Sequence, residues 1–444
     1  MGFLKLADYD AIVIGAGPAG LAAASQLMYE GKRSILINAT TANGHGLGGL
    51  ANEWHNQCAE LEEVDFEGSN NFFSWPISYL EYRKYTEKAK NILNIEIEMN
   101  NEASNRRKNL SQDDISIDEV ETIISKKQSW ENLFLSTLQS PLLTIHNGIV
   151  SKFIHDNHII NSIILDGTEQ IVRNTSKIYL AAGCIGNTEI LSRSNFLELN
   201  NSSTYSKYLA DHPMFENIYL KGGERDSFQG LFESKKVNNK FLLKKRKYRV
   251  RKKGRNLGVF EIRHFFTNRS IDNTSSSLLL NEYIKLSINK LNSLLFKRIV
   301  FRPHQTKVWI QLAQELNSES QIDVTENSTH ILWKLNEKDL KNYFEIITAI
   351  KFLTKKNGFS LHYSRKVETV KDLESTALPA FHLSGTTRMS KIETDSVVDK
   401  NCKLLNIENC YILGSSVFTT PGWVNPTLSI MALSIRTVEK SWLK

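Results

Sequence analysis

The segment that most limits what this chain can fold into is Gly15-Ala16-Gly17-Pro18-Ala19-Gly20, set between an apolar run and a helical stretch. Asp10-Ala11-Ile12-Val13-Ile14 reads as a strand buried on both faces, and residues 21–29 read as a helix. Ser34-Ile35-Leu36-Ile37 supplies a second strand at the distance a βαβ unit requires. In a GxGxxG turn the first glycine permits the tight bend and the second lets the backbone approach a pyrophosphate. The third allows close helix–strand packing, and the helix N-terminus favours negative charge. The βαβ setting therefore predicts a bound dinucleotide, contacted by Gly15, Gly17, Pro18, Ala19 and Gly20. Asn38 ends the second strand, where a carboxylate usually holds the ribose hydroxyls. Its amide can accept one hydrogen bond without charge-assisted strength, and it offers nothing to a 2′-phosphate.

The remaining chain is long enough to wrap more than one layer around that unit, at 444 residues. Its 41% apolar and 23% charged residues are ordinary for a globular protein. No apolar run reaches the roughly 18 residues of a membrane span. The first strand starts so near Met1 that no signal peptide is expected, and the N-terminus lacks a myristoylation pattern. Cys58, Cys184, Cys402 and Cys410 form no CxxC pair and have no histidine at metal spacing. They read as reduced structural thiols of a cytoplasmic protein, with no metal site.

Two later segments repeat the strand-to-glycine pattern. Lys177-Ile178-Tyr179-Leu180-Ala181-Ala182-Gly183 and Cys410-Tyr411-Ile412-Leu413-Gly414 predict one sheet assembled from distant parts of the chain. Residues 95–130 are rich in Asn, Ser, Lys and Glu and read as a loop or exposed helices. Residues 218–330 mix strand-like stretches with a helical segment at 281–299, and 339–355 has helical periodicity. Residues 244–255 place nine positive charges in twelve positions. They read as a solvated hairpin or loop, or as a basic rim that attracts an anionic substrate or a membrane surface. No nucleic-acid-binding module accompanies the charge.

Near the C-terminus stand Phe381-His382-Leu383-Ser384-Gly385-Thr386-Thr387-Arg388-Met389, then Ser396-Val397-Val398-Asp399, Ile412–Phe418 by number 412–418, and Gly422-Trp423-Val424-Asn425-Pro426-Thr427-Leu428. This constellation resembles the C-terminal signature of the glucose–methanol–choline (GMC) oxidoreductases. The resemblance implies an FAD-dependent enzyme that oxidises the CH–OH group of an alcohol. His382 would be the catalytic base and Asn425 its partner, both facing the flavin. The chemistry is consistent: a neutral imidazole can take a hydroxyl proton near neutral pH, and an amide can hold the same oxygen in place. His212, in Asp211-His212-Pro213, also resembles a family turn and reads as structural.

The segment 46–54 is similar to the family's second glycine motif and adds Gly48, Gly49, Asn52 and Trp54 to the cofactor contacts. The resemblance extends them to Val150, Ala182, Gly183, Ser415, Pro426 and Thr427. Trp75-Pro76-Ile77-Ser78 matches a pattern of sugar-oxidising members, which implies a sugar or glycoside substrate. Glu53 stands where pyranose oxidases carry a histidine that bonds to the flavin, so a non-covalent FAD is expected. Gly414 replaces an aspartate common near the pyrophosphate.

The expected fold is α/β (α+β overall). A Rossmann-type FAD-binding domain is drawn from residues 1–90, 145–215 and 375–444. Residues 91–144 form an exposed insertion, and 216–374 a substrate-binding domain of sheet and helices. Two other readings share the motifs: a flavin-binding partner protein without catalysis, and a non-redox flavin-dependent sugar isomerase. The electron acceptor is not legible in the sequence.

Overall fold

The computed structural model describes residues 5–39, 46–53, 56–68, 74–95, 110–112, 114–124, 128–156, 158–196, 202–223, 232–237, 240–265 and 305–443. The chain opens with strand β1 (Ala11–Ile14), helix α1 (Pro18–Tyr29) and strand β2 (Ser34–Asn38). Helix α2 (Tyr79–Ile92), strands β3 (Ile115–Ile124) and β4 (Leu143–Asn147), and strand β5 (Lys177–Leu180) leading into helix α3 (Gly183–Arg193) follow. The middle of the chain supplies β6 (Met214–Gly222), β7 (Lys240–Lys252), β8 (Arg255–Phe265), β9 (Gln305–Leu312) and helix α4 (Glu337–Lys355). Strands β10 (Phe359–Tyr363) and β11 (Cys410–Ile412) and helix α5 (Thr427–Trp442) close it.

One sheet is wholly parallel, in the order β11–β5–β1–β2–β4. Every residue of β1 and β2 is buried, as strands covered on both faces require. Helices α1 and α5 pack against each other beside this sheet. Leu21, Leu27, Leu428 and Ile435 join its core. The chain is thus a mixed α/β protein with a Rossmann-type unit whose strands come from both termini.

The second sheet is antiparallel, in the order β10–β6–β9–β8–β7–β3, with Gln57–Cys58 beyond β3. Its two faces meet different neighbours. Ile117, Val250, Phe260, Ile262 and Ile310 pack with Tyr343, Ile346 and Ile350 of α4. Val120 and Val259 belong instead to the core of the parallel sheet. That inner face also carries buried Lys247, Arg249 and Gln311.

Two expectations are corrected here. Residues 95–130 were expected to be loop or exposed helix within an exposed insertion, but they contain β3, which pairs along ten positions with β7 and buries Ile117 and Val120. Residues 244–255, expected as a solvated hairpin or loop, do run along strand β7 and turn into β8 as a hairpin, but Lys247 and Arg249 of it are buried, not solvated. Alternation along it turns Lys247 and Arg249 inward on one face and Val250 on the other. The expected helix at 339–355 is α4, capped by Asn336, whose side chain accepts from the amides of Lys338 and Asp339. The segment 281–299 lies outside the described residues. Among those described, no helix is long and apolar enough to cross a membrane.

Candidate active site

The strands β1, β5 and β11 run in one direction, so their C-terminal ends share one edge of the sheet. Each ends at a glycine turn. Gly15 takes φ +105°, and a side chain there would overlap the carbonyl of Ala181; at Gly20 it would overlap the carbonyl of Gly15. These two glycines let the backbone close. Gly17, Gly183 and Gly414 differ: nothing lies within 4 Å of where a Cβ would stand. They face open space at the edge where open α/β sheets take ligands. Helix α1 starts there with Gly17 at its N-cap, no side chain capping it, and Pro18 in its first turn. The amides of that first turn are available to a diphosphate.

The other expected cofactor residues gather around this edge. The Gly48 amide donates to the Ala16 carbonyl at 2.8 Å, which ties the second glycine motif to the first. Asn52 Nδ2 donates to the Leu47 carbonyl at 3.0 Å, within the same motif. Asn38 is buried at the end of β2 and its Nδ2 donates to Asn147 Oδ1 at 3.4 Å. That contact leaves the Asn38 side-chain carbonyl as the acceptor for a ribose hydroxyl. Val150 is buried just past β4. Ala182 caps α3, and its amide is held by Asn187 Oδ1 at 2.8 Å. Ser415 Oγ donates to the Leu383 carbonyl at 2.5 Å, joining the Gly414 turn to the His382 segment. Pro426 and Thr427 begin α5 and are buried. Trp54 lies outside the described residues. The open cradle, the free helix amides and the absence of a filling side chain fit FAD.

His382 does not stand alone. Its Nδ1 lies 3.0 Å from Nδ1 of His212, with the rings at 81°. His212 Nε2 lies 3.1 Å from the Pro421 carbonyl. Gln311 Nε2 reaches both His212 Nδ1 and the Trp423 carbonyl, each at 3.2 Å. Asp211 is fully buried and accepts from three backbone amides: His212 at 2.7 Å, His382 at 2.8 Å and Phe381 at 3.0 Å. Phe381 is held at φ +59°, an uncommon conformation for a bulky side chain. Asn425 is half-buried, two residues beyond Trp423. Its segment is fixed from several sides, because Trp75 Nε1 donates to Thr420 Oγ1 at 3.1 Å. The structure therefore pairs His382 with His212, and the turn that leads to Asn425 is tied to His212 and Gln311 through the Pro421 and Trp423 carbonyls.

Electrostatics disfavour the cationic form of both imidazoles. Burial, then the neighbouring His212 and the Lys247 cation, push His382 well below the ordinary histidine value. Burial also lowers His212, against the opposing pull of Asp211. The other cations of β7 among the described side chains are engaged with carboxylates. Arg249 and Arg251 both pair with Glu62 and Asp118, Lys252 with Glu345 at 2.5 Å, and Arg255 at the start of β8 with Glu315. The Arg249 guanidinium also stands 5.4 Å from the Trp423 ring centre. Sequence reasoning missed the part played by His212 and Gln311. The Asp-His-Pro triplet was visible, but its partner lies 170 positions away.

A GMC oxidoreductase domain model matches residues 317–434, and an FAD binding domain model matches 10–52. Pyridoxine 4-oxidase from Mesorbium loti superposes with a TM-score of 0.60 at 12% identity, over 97% of this chain and 98% of that one. A formate oxidase gives 0.59 at 13% identity, over 98% of both chains. These likenesses show the fold. Among curated proteins, 2-methyl-1,2-propanediol dehydrogenase of Mycolicibacterium austroafricanum is 41% identical over 58 residues, 13% of this chain and 10% of that protein. Thiamine thiazole synthase of Archaeoglobus fulgidus is 31% identical over 83 residues, 19% of this chain and 30% of that protein. The chain thus spans less than a third of either curated relative. The chain thus carries a GMC oxidoreductase domain over residues 317–434 and an FAD binding domain over 10–52, on a fold shared with these two oxidases.

Proposed function

We propose that the protein oxidises the CH–OH group of a small alcohol, with His382 as the base and Asn425 orienting the hydroxyl. The observation that carries this reading is the buried His382 imidazole, 3.0 Å from His212 Nδ1 on a backbone held by Asp211, with His212 in turn tied to the turn that leads to Asn425. In the reaction the carbinol O–H and C–H bonds both break and a C=O bond forms. Bound FAD supplies the acceptor for the hydride and its two electrons. His382 takes the proton, a step that contributes about 10²- to 10⁴-fold in rate when the base is positioned. The diol in the name of the propanediol dehydrogenase relative points to the same bond.

A sugar or glycoside is the proposed substrate class, supported by the Trp75–Ser78 pattern (residues 75–78) and by its bond to the Thr420 turn. An anionic sugar is less favoured, because Arg249, Arg251, Lys252 and Arg255 already face carboxylates. Glu53, exposed and unable to form a flavin bond, supports a non-covalent FAD. Acid precipitation should then leave the yellow colour in solution.

Anaerobic mixing of the flavin-loaded protein with sugars and simple alcohols tests the activity. Bleaching of the flavin with release of a carbonyl product is expected, and His382→Ala should slow it by two orders of magnitude or more. Turnover without net oxidation would favour an isomerase, and no bleaching by any alcohol would favour a partner protein without catalysis.

A further inference from the structure

We propose that His212 is a positioning residue that sets the tautomer of His382, leaving His382 Nε2 as the bare nitrogen that takes the hydroxyl proton. The proposal rests on His382 being the base of the reaction above. It follows from a chain of donors and acceptors whose ends are fixed by backbone carbonyls.

A carbonyl oxygen only accepts, so His212 Nε2, 3.1 Å from the Pro421 carbonyl, carries a hydrogen. In a neutral ring His212 Nδ1 is then an acceptor. Gln311 reaches the same answer independently. Its side-chain atom near the Trp423 carbonyl must be the amide nitrogen, again because that carbonyl only accepts. The same nitrogen lies 3.2 Å from His212 Nδ1 and donates to it. His212 Nδ1 has a single lone pair, which the two contacts share; at 3.0 Å the nearer His382 Nδ1 is its donor too, since two bare ring nitrogens at that distance would repel. A neutral His382 that carries its hydrogen on Nδ1 has none on Nε2.

The opposite arrangement would need a cationic His212. Its Nδ1–H would face the hydrogens of the Gln311 amide, and His382 would have to accept on Nδ1. The His382 hydrogen would then sit on Nε2, where a proton has to arrive. Burial opposes that cation first, and Lys247 adds to it; Asp211 and the Pro421 and Gly422 backbone pull the other way, less strongly. Asp211 contributes to the pair by geometry as well, since it holds the His212 and His382 backbone amides on one carboxylate oxygen.

The test joins a spectroscopic and a kinetic measurement on the flavin-loaded protein. In ¹⁵N-histidine-labelled protein, with the His382 signals identified by their loss in His382→Ala, a protonated Nδ1 and a bare Nε2 are expected. A hydrogen on Nε2 at neutral pH would overturn the proposal. In parallel, His212→Leu removes the acceptor, and His212→Asn retains an oxygen that can replace it. The leucine variant should lose about 10- to 100-fold in kcat, a share of what a positioned base contributes, with KM changed less. The asparagine variant should recover most of that loss. If His382→Ala abolishes oxidation while His212→Leu keeps full kcat and an unchanged pH profile, the positioning role is wrong and the base assignment stands. If His382→Ala retains full activity, the base assignment itself fails, whatever the tautomer. Should the leucine variant not fold, the wild-type ¹⁵N result and the asparagine variant still decide.

Discussion

Asp211 Oδ1 accepts the backbone amide of His382 at 2.8 Å, so a fully buried carboxylate fixes the main chain of the candidate base rather than its ring. The same group holds Phe381 at its left-handed φ of +59° and the amide of His212. Asp211→Ala would leave three amides without their acceptor and release the turn. We expect a loss of about 3 kcal/mol in stability, the scale of stranding buried donors that had bonded to a charged group. In the fraction that folds, kcat should fall more than KM rises, because the imidazole moves and the substrate pocket does not. Denaturant unfolding and steady-state kinetics with an identified alcohol check both parts.

The pH profile should carry the mark of the buried imidazoles. A base works unprotonated, and burial with the His212 and Lys247 neighbours holds His382 well below its ordinary value of 6.5. The acid limb of kcat/KM should therefore lie below pH 6.5, with a plateau through neutrality. Stability should follow the same sign. Both histidines have depressed folded values, so unfolding takes up protons below pH 6.5 and stability falls as pH drops through that range. A rate that fell already between pH 8 and 7 through one ionisation would contradict the neutral base.

Two glycines of one turn should respond in opposite ways to the same change. At Gly20 a methyl group would overlap the Gly15 carbonyl, while at Gly17 it would enter open space. Gly20→Ala should lower the melting temperature of the FAD-free protein, since the clash is with backbone. Gly17→Ala should fold like the parent, as its φ of −75° suits alanine. It should instead lose FAD affinity, because the methyl fills the space where the diphosphate would approach α1. Flavin titration and melting curves on both variants separate the effects.

The parallel sheet was legible because its strands are short, apolar and end at glycine. Those signals are local and survive the distance between residues 14, 180 and 412. Strand β3 was hidden for a physical reason. Ile115 and Ile117 face the core under α4, while Val120 faces the parallel sheet, so its apolar residues change sides midway. An alternation count cannot register that switch. The burial of part of the basic run was not legible because Glu62, Asp118, Glu315 and Glu345, which pair with Arg249, Arg251, Lys252 and Arg255, come from four distant places. His212 was legible as a motif and illegible as a partner of His382 for the same reason.

The ion-pair group around Arg249 gives the last expectation. Arg249 is buried on the inner face of β7, pairs with Glu62 and Asp118, and lies over Trp423. Its side chain thus links the second sheet to the turn that bears Asn425. Arg249→Met keeps much of the volume but leaves Arg251 alone to neutralise two largely buried carboxylates, Glu62 and Asp118. Removing one partner of a buried pair typically costs about 3–5 kcal/mol, more than the pair itself is worth. Adding Glu62→Gln and Asp118→Asn should restore part of that loss, because the excess negative charge is gone while the partly exposed Arg251 keeps access to water. The triple variant should still lose rate, since the cation over Trp423 no longer braces the turn. If melting curves showed the single and triple variants equally destabilised, packing rather than charge would be what Arg249 supplies.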